Sequence, residues 1–93
     1  MAEDVKVLQL GEREYAAEVH ESNQTTEHRV MFTQDLLDAL EMPEPDEQRF
    51  VAESMKYLLQ RTPVTALPHD IDLEGIQSED LEFLPEMRAR MTG

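Results

Sequence analysis

Apolar positions recur at two spacings along this chain, every second residue near its start and every third or fourth further on, and each spacing marks a kind of element. Val5-Lys6-Val7-Leu8-Gln9-Leu10 reads as a strand, and Gly11-Glu12 supplies a turn. A second strand covers residues 14–20, where Tyr15, Ala17 and Val19 alternate with Glu14, Ala16, Glu18 and His20. That alternation predicts an antiparallel strand with one buried and one wet face. Ser22 to Thr26 reads as a polar turn, and His28 to Phe32 as a third strand with Val30 and Phe32 inward. Three strands joined by short turns make a meander.

The spacing then changes to that of a helix. Thr33 caps a predicted helix over 34–42, with Asp35 in its first turn and Leu36, Leu37 and Leu40 on one face. Pro43 stops it and Pro45 stiffens the connection. Asp46 is the expected cap of a longer helix over 47–61, with Glu47 at its start and Lys56 and Arg61 near its end, as the helix dipole favours. Phe50, Val51, Ser54, Met55 and Leu58 fall in one arc of about 140°, which Tyr57 and Leu59 widen to about 200°. A helix lying on one sheet needs a stripe of only about 100°. The excess must be covered, either by the downstream segment or by a partner chain.

Thr62-Pro63 ends that helix, and Val64 to Pro68 reads as irregular. Ile71, Leu73 and Ile76 suggest a short turn packed back over the long helix. Leu81, Phe83 and Leu84 follow among acids, and Met87, Arg88, Arg90 and Met91 end the chain. The expected fold class is therefore α+β: a small antiparallel meander of three strands packed by two helices, with an irregular or short-helical C-terminal segment. Residues 1–77 form the single domain of this reading. Residues 78–93 form an acidic segment packed in part on the long helix.

Composition narrows the function classes. The chain has 93 residues, enough for one domain with a modest core. Its 21 Asp and Glu against 8 Lys and Arg give a net charge of −13. Such a balance argues against direct binding to a nucleic-acid backbone or an anionic membrane, which both need clustered cations. With no cysteine, disulfides, thiol chemistry and Cys-ligated metals are excluded. The start Met1-Ala2-Glu3-Asp4 lacks the pattern of a signal peptide, and no apolar run nears the roughly 20 residues of a membrane span. A cytoplasmic protein is the expectation.

Candidate chemistry is sparse. Asp70, Asp72, Glu74 and Gly75 match the first half of a calcium loop, but its twelfth position, normally a bidentate Glu, is Leu81. An acidic solvated turn is the expected reading. His20 and His28 flank a turn but fall in phase with opposite sheet faces, so they cannot share a metal. Ser54 lies on the apolar arc, where a small residue serves close packing. No phosphate loop exists among three glycines, and no carboxylate pair stands out as acid and base. No catalytic residue, metal or cofactor is expected.

The acids are patterned. Six lie between Val30 and Gln48 and seven from Asp70 to Glu86, with no base in either run. A mimic of the phosphate array, inhibiting a basic nucleic-acid-binding protein, is one reading of those runs; solubility alone is the other.

The second half of the chain carries, in order, Glu53-Ser54, Tyr57-Leu58-Leu59-Gln60-Arg61-Thr62-Pro63, Asp72-Leu73-Glu74-Gly75-Ile76 and Phe83-Leu84-Pro85-Glu86. On these residues, and more loosely on Gly11 to Tyr15, Leu36-Leu37 and Leu40, the chain resembles a family of small, functionally uncharacterised bacterial proteins. The sequence departs in having Tyr57 and Ile71 where Phe is usual. The resemblance implies a domain whose post-helix segment packs in a fixed way, and brings no activity with it.

The functional expectation is a non-enzymatic, acidic interaction or regulatory protein with a protein partner, a basic protein among the candidates. The expected contact surface is Tyr57, Leu59, Phe83 and Leu84, with Asp72, Glu74 and Glu82 beside them. Self-association is expected, if at all, through the 47–61 helix, leaving the chain a monomer or a homodimer.

Overall fold

The computed structural model describes residues 4–21, 23–42 and 44–92. Strands β1 (Asp4–Gly11), β2 (Glu14–Glu21) and β3 (Gln24–Met31) form the antiparallel meander. Helices α1 (Gln34–Ala39) and α2 (Glu47–Leu59) follow, then a 3-10 turn at Val64–Ala66. A three-residue strand β4 (Asp70–Asp72) leads directly into α3 (Leu73–Glu79), and α4 (Phe83–Thr92) closes the chain. The fold is α+β, and the sheet order is β1-β2-β3-β4.

Register carries the period-two pattern into three dimensions. Val5 pairs with Val19 and Val7 with Ala17, while Tyr15 pairs with Val30 and Ala17 with His28. These positions point to the helices, so their neighbours Leu8, Ala16 and Arg29 point away. His20 and His28 thus stand on opposite faces. His28 donates from Nδ1 to the Pro68 carbonyl at 2.7 Å, and its Nε2 accepts from the Thr26 hydroxyl at 2.9 Å.

The β2–β3 hairpin is longer than its apolar pattern. Gln24 to Thr26 belong to β3 and not to the turn, because β-branched threonines suit a strand that has run beyond the core. Ser22 and Pro43, expected in the turn and at the end of α1, lie outside the described residues. Thr33 does cap α1 and Asp46 caps α2, accepting from the amides of Leu36 and Arg49. Helix α1 stops at Ala39 because Glu41 takes a left-handed conformation, φ 59°.

The sheet has a fourth strand, which corrects the three-stranded meander. Ile71 pairs in parallel with Val30 and is buried, and the Arg29 amide donates to the His69 carbonyl at 2.7 Å. Parallel pairing requires a long crossover, which α1 and α2 provide. Three residues are too few to show a period, which is why the sequence predicts a turn here and the structure has a strand. Asp72 caps α3, accepting from the Glu74 amide, so the expected acidic turn is a strand entering a helix. The boundary expected between residues 77 and 78 falls within α3.

The wide apolar arc of α2 has two neighbours. One side lies on β1 and β2, and the other is covered by α4. Phe83, Leu84, Met87 and Met91, a helical face of α4, join the same core as Phe50, Met55 and Tyr57. Pro85 fits because the third helical residue has no intrahelical partner for its amide. All the chain's aromatic residues, three Phe and two Tyr, link in one file. It runs Tyr15, Phe32, Phe50, Phe83, Tyr57, with centroids 5.4 to 6.4 Å apart.

Candidate functional site

The residues expected to meet a partner meet one another. Tyr57 and Phe83 are fully buried and pack edge to face, and Leu59 and Leu84 are buried in the same core. The Tyr57 hydroxyl donates to Asp80 Oδ2 at 2.6 Å, and the Arg61 guanidinium lies 3.9 Å over its ring. Burial first, then this hydrogen bond and the Asp80 charge, push the tyrosine up to about 12. The same bond, with the Glu82 amide second, holds Asp80 below the usual carboxylate range. At the other end of the file, Tyr15 donates to Glu47 at 3.2 Å, and burial followed by the Glu47 charge raises it.

The expected acids have intramolecular roles too. Asp72 is a helix cap, Glu74 accepts from the Thr33 hydroxyl at 2.7 Å, and Glu82 lies 3.6 Å from Arg61. Three arginines fasten α4. Arg90 reaches Glu53, Glu86 and Gln60, Arg88 donates to the Ala39 carbonyl, and Arg49 donates to the carbonyls of Arg90 and Met91. A cation at a helix C-terminus also complements the dipole. The apolar half of the expected surface, Tyr57, Leu59, Phe83 and Leu84, is therefore an internal seam, while Asp72 and Glu82 stay exposed beside it. It leaves α2 with Gln48, Arg49 and Lys56 exposed, a polar set that gives a homodimer no apolar face there.

The residues that carry the family resemblance lie along this seam. Tyr57 to Leu59 end α2, Asp72-Leu73 start α3, and Phe83-Leu84-Pro85-Glu86 start α4. Their regularity is that of caps and core positions.

Apolar surface is exposed elsewhere. Leu8 is 67% exposed and Leu10 53%, both on β1. Leu8 lies opposite Ala16, whose small side chain leaves a floor on the helix-free face of the sheet. Two shallow depressions adjoin at Ala16. One, of about 330 Å³, runs between Leu8 and Glu18; the other, of about 240 Å³, lies between Leu10 and Arg29. Glu27 borders both.

The rim is acidic. Asp4, Glu14, Glu18, Glu27, Asp70 and Asp72 take the outward positions, against Lys6 and Arg29. Arg29 is paired with Glu14. His20 Nε2 donates to Glu18 at 2.8 Å while its Nδ1 accepts from Thr25 at 3.1 Å. Glu27 and Asp70 face solvent.

A sequence signal for this face existed. β1 carries apolar residues in both phases, Val5 and Val7 inward and Leu8 and Leu10 outward, which a strand with a single buried face does not need. Among the described residues no group of three or more His, Asp or Glu gathers to hold a metal ion, and no helix is long and apolar enough to cross a membrane. No protein-family model matches the chain, and neither curated proteins nor solved structures give a match to it.

Proposed function

We propose that this chain is a non-enzymatic, cytoplasmic interaction protein that docks a basic protein partner on the helix-free face of its sheet. The observation that carries the proposal is the exposure of Leu8 and Leu10 beside the Ala16 floor. Two large leucines left in water on one strand are an adhesive surface that folding does not use. The acidic rim selects for Lys and Arg around the partner's apolar contact. A second copy is the disfavoured occupant, since each chain brings a net charge of −13. Kinship with the small bacterial family belongs to the same proposal, supported by the motif residues along the α2–α4 seam.

The test is a titration of isotopically labelled protein with a peptide of alternating lysine and valine, at physiological salt. Amide shifts should concentrate at Lys6, Leu8, Leu10, Ala16 and Glu27, and Leu8→Ser with Leu10→Ser should weaken binding at least tenfold. Shifts centred instead on α1 and the Glu79 to Glu82 turn would sink this reading in favour of phosphate mimicry. Equal binding by the double variant would sink it as well.

A further inference from the structure

We infer that the partner engages by adding a strand to the free edge of β1, and that Gln48 holds that edge closed until it does. This inference rests on the docking reading and assigns its geometry. β1 is the eight-residue edge of the sheet, whereas the opposite edge, β4, has three residues and runs straight into α3. Unpaired amides and carbonyls on a long edge are a template for another strand.

The direction of those groups follows from Gln48. Its side-chain amide donates to the Val7 carbonyl at 3.1 Å, so that carbonyl faces away from β2. In an antiparallel pair such outward residues alternate, which directs the main-chain groups of Val5, Val7 and Gln9 to the free edge. At the far end Gln9 Nε2 donates to the Gly11 carbonyl at 3.1 Å, beside the register shift between Gln9 and Gly11. The usable edge is thus Asp4 to Gln9.

The exposed leucine fits this geometry. Leu8 sits on the edge strand, so a side chain of an added strand would stand directly across from it, about 5 Å away between Cβ atoms. The position two residues along that strand faces Lys6 and is therefore apolar too, while the lysines or arginines between point to the other face, drawn in by the net charge of −13. The occupant is accordingly an extended, basic segment of a protein with apolar residues at alternate positions. Self-pairing edge to edge is opposed by charge and by the Gln48 bond, a side-chain stand-in for a ladder hydrogen bond.

Hydrogen exchange and one surface variant test this, using the same lysine–valine peptide on the whole chain. With peptide at saturation, the Val5, Val7 and Gln9 amides should exchange at least tenfold more slowly, while Lys6 and Leu8, already laddered to β2, change little. Gln48→Ala, at an exposed position, should bind the peptide about fivefold more tightly, because it removes a competing hydrogen bond. If the peptide binds and shifts Leu8 and Leu10, yet Val5 and Val7 exchange at their free rate and Gln48→Ala binds as the wild type does, strand addition is overturned and docking on the face stands. If the peptide does not bind even at low salt, both fall.

Discussion

Tyr57 shows how one side chain can tie two helices and set a pH window. Its ring fills the space between α2 and α4, and its hydroxyl reaches Asp80 in the connection between α3 and α4. The folded state holds the phenol protonated up to about 12, above its ordinary 10.0, so its contribution is complete below pH 10 and lost between pH 10 and 12. Asp80 has the opposite sign. Its folded value lies below 3.8, so its contribution is present above that pH and lost as pH falls through the lowered value. Urea denaturation should therefore give a stability that this pair leaves flat from pH 5 to 9. Tyr57→Phe should cost about 1–2 kcal/mol at pH 7 and make both the acid and the alkaline decline shallower. A second residue invites the reverse change. Glu41 sits just past α1 with φ 59° and is exposed, so Glu41→Gly should raise the unfolding free energy by about 0.5–1 kcal/mol.

At the scale of elements, the consequential pairing is α2 with α4. An α2 arc of about 200° overfills one sheet, and α4 takes the remainder with Phe83 and Met87 fully buried. Phe83→Ala should thus lose about 3–5 kcal/mol in urea denaturation, while Leu81→Ala, at a residue 80% exposed two positions away, should lose under about 0.5. Caps at Thr33 and Asp46 were legible beforehand because capping is a local hydrogen bond between a side chain and an amide three residues on. β4 was not legible. Its place depends on Val30, some forty residues earlier in the chain, and nothing within three residues announces such a partner. The expected contact surface has the same explanation: Tyr57, Leu59, Phe83 and Leu84 look adhesive in sequence because they adhere to each other.

For the whole molecule, charge is the lever. Five of the 21 acids take intramolecular roles, Asp46 and Asp72 as caps and Glu47, Glu74 and Asp80 accepting side-chain hydrogen bonds. Those bonds orient the carboxylates without neutralising them. A net −13 on so small a domain still repels itself, and salt screens that repulsion. Raising sodium chloride from about 10 to 150 mM should move the urea midpoint upward; a downward shift would show that the surface ion pairs outweigh the repulsion. The residues alone were enough for the α+β class, the meander, both helices and their caps, since each follows from spacing or from a bond within one turn of chain. Tertiary structure decided which apolar residues stay in water. Burial is a property of what lies opposite, and only folding brings α4 over Tyr57 while leaving Leu8 and Leu10 exposed among the described residues.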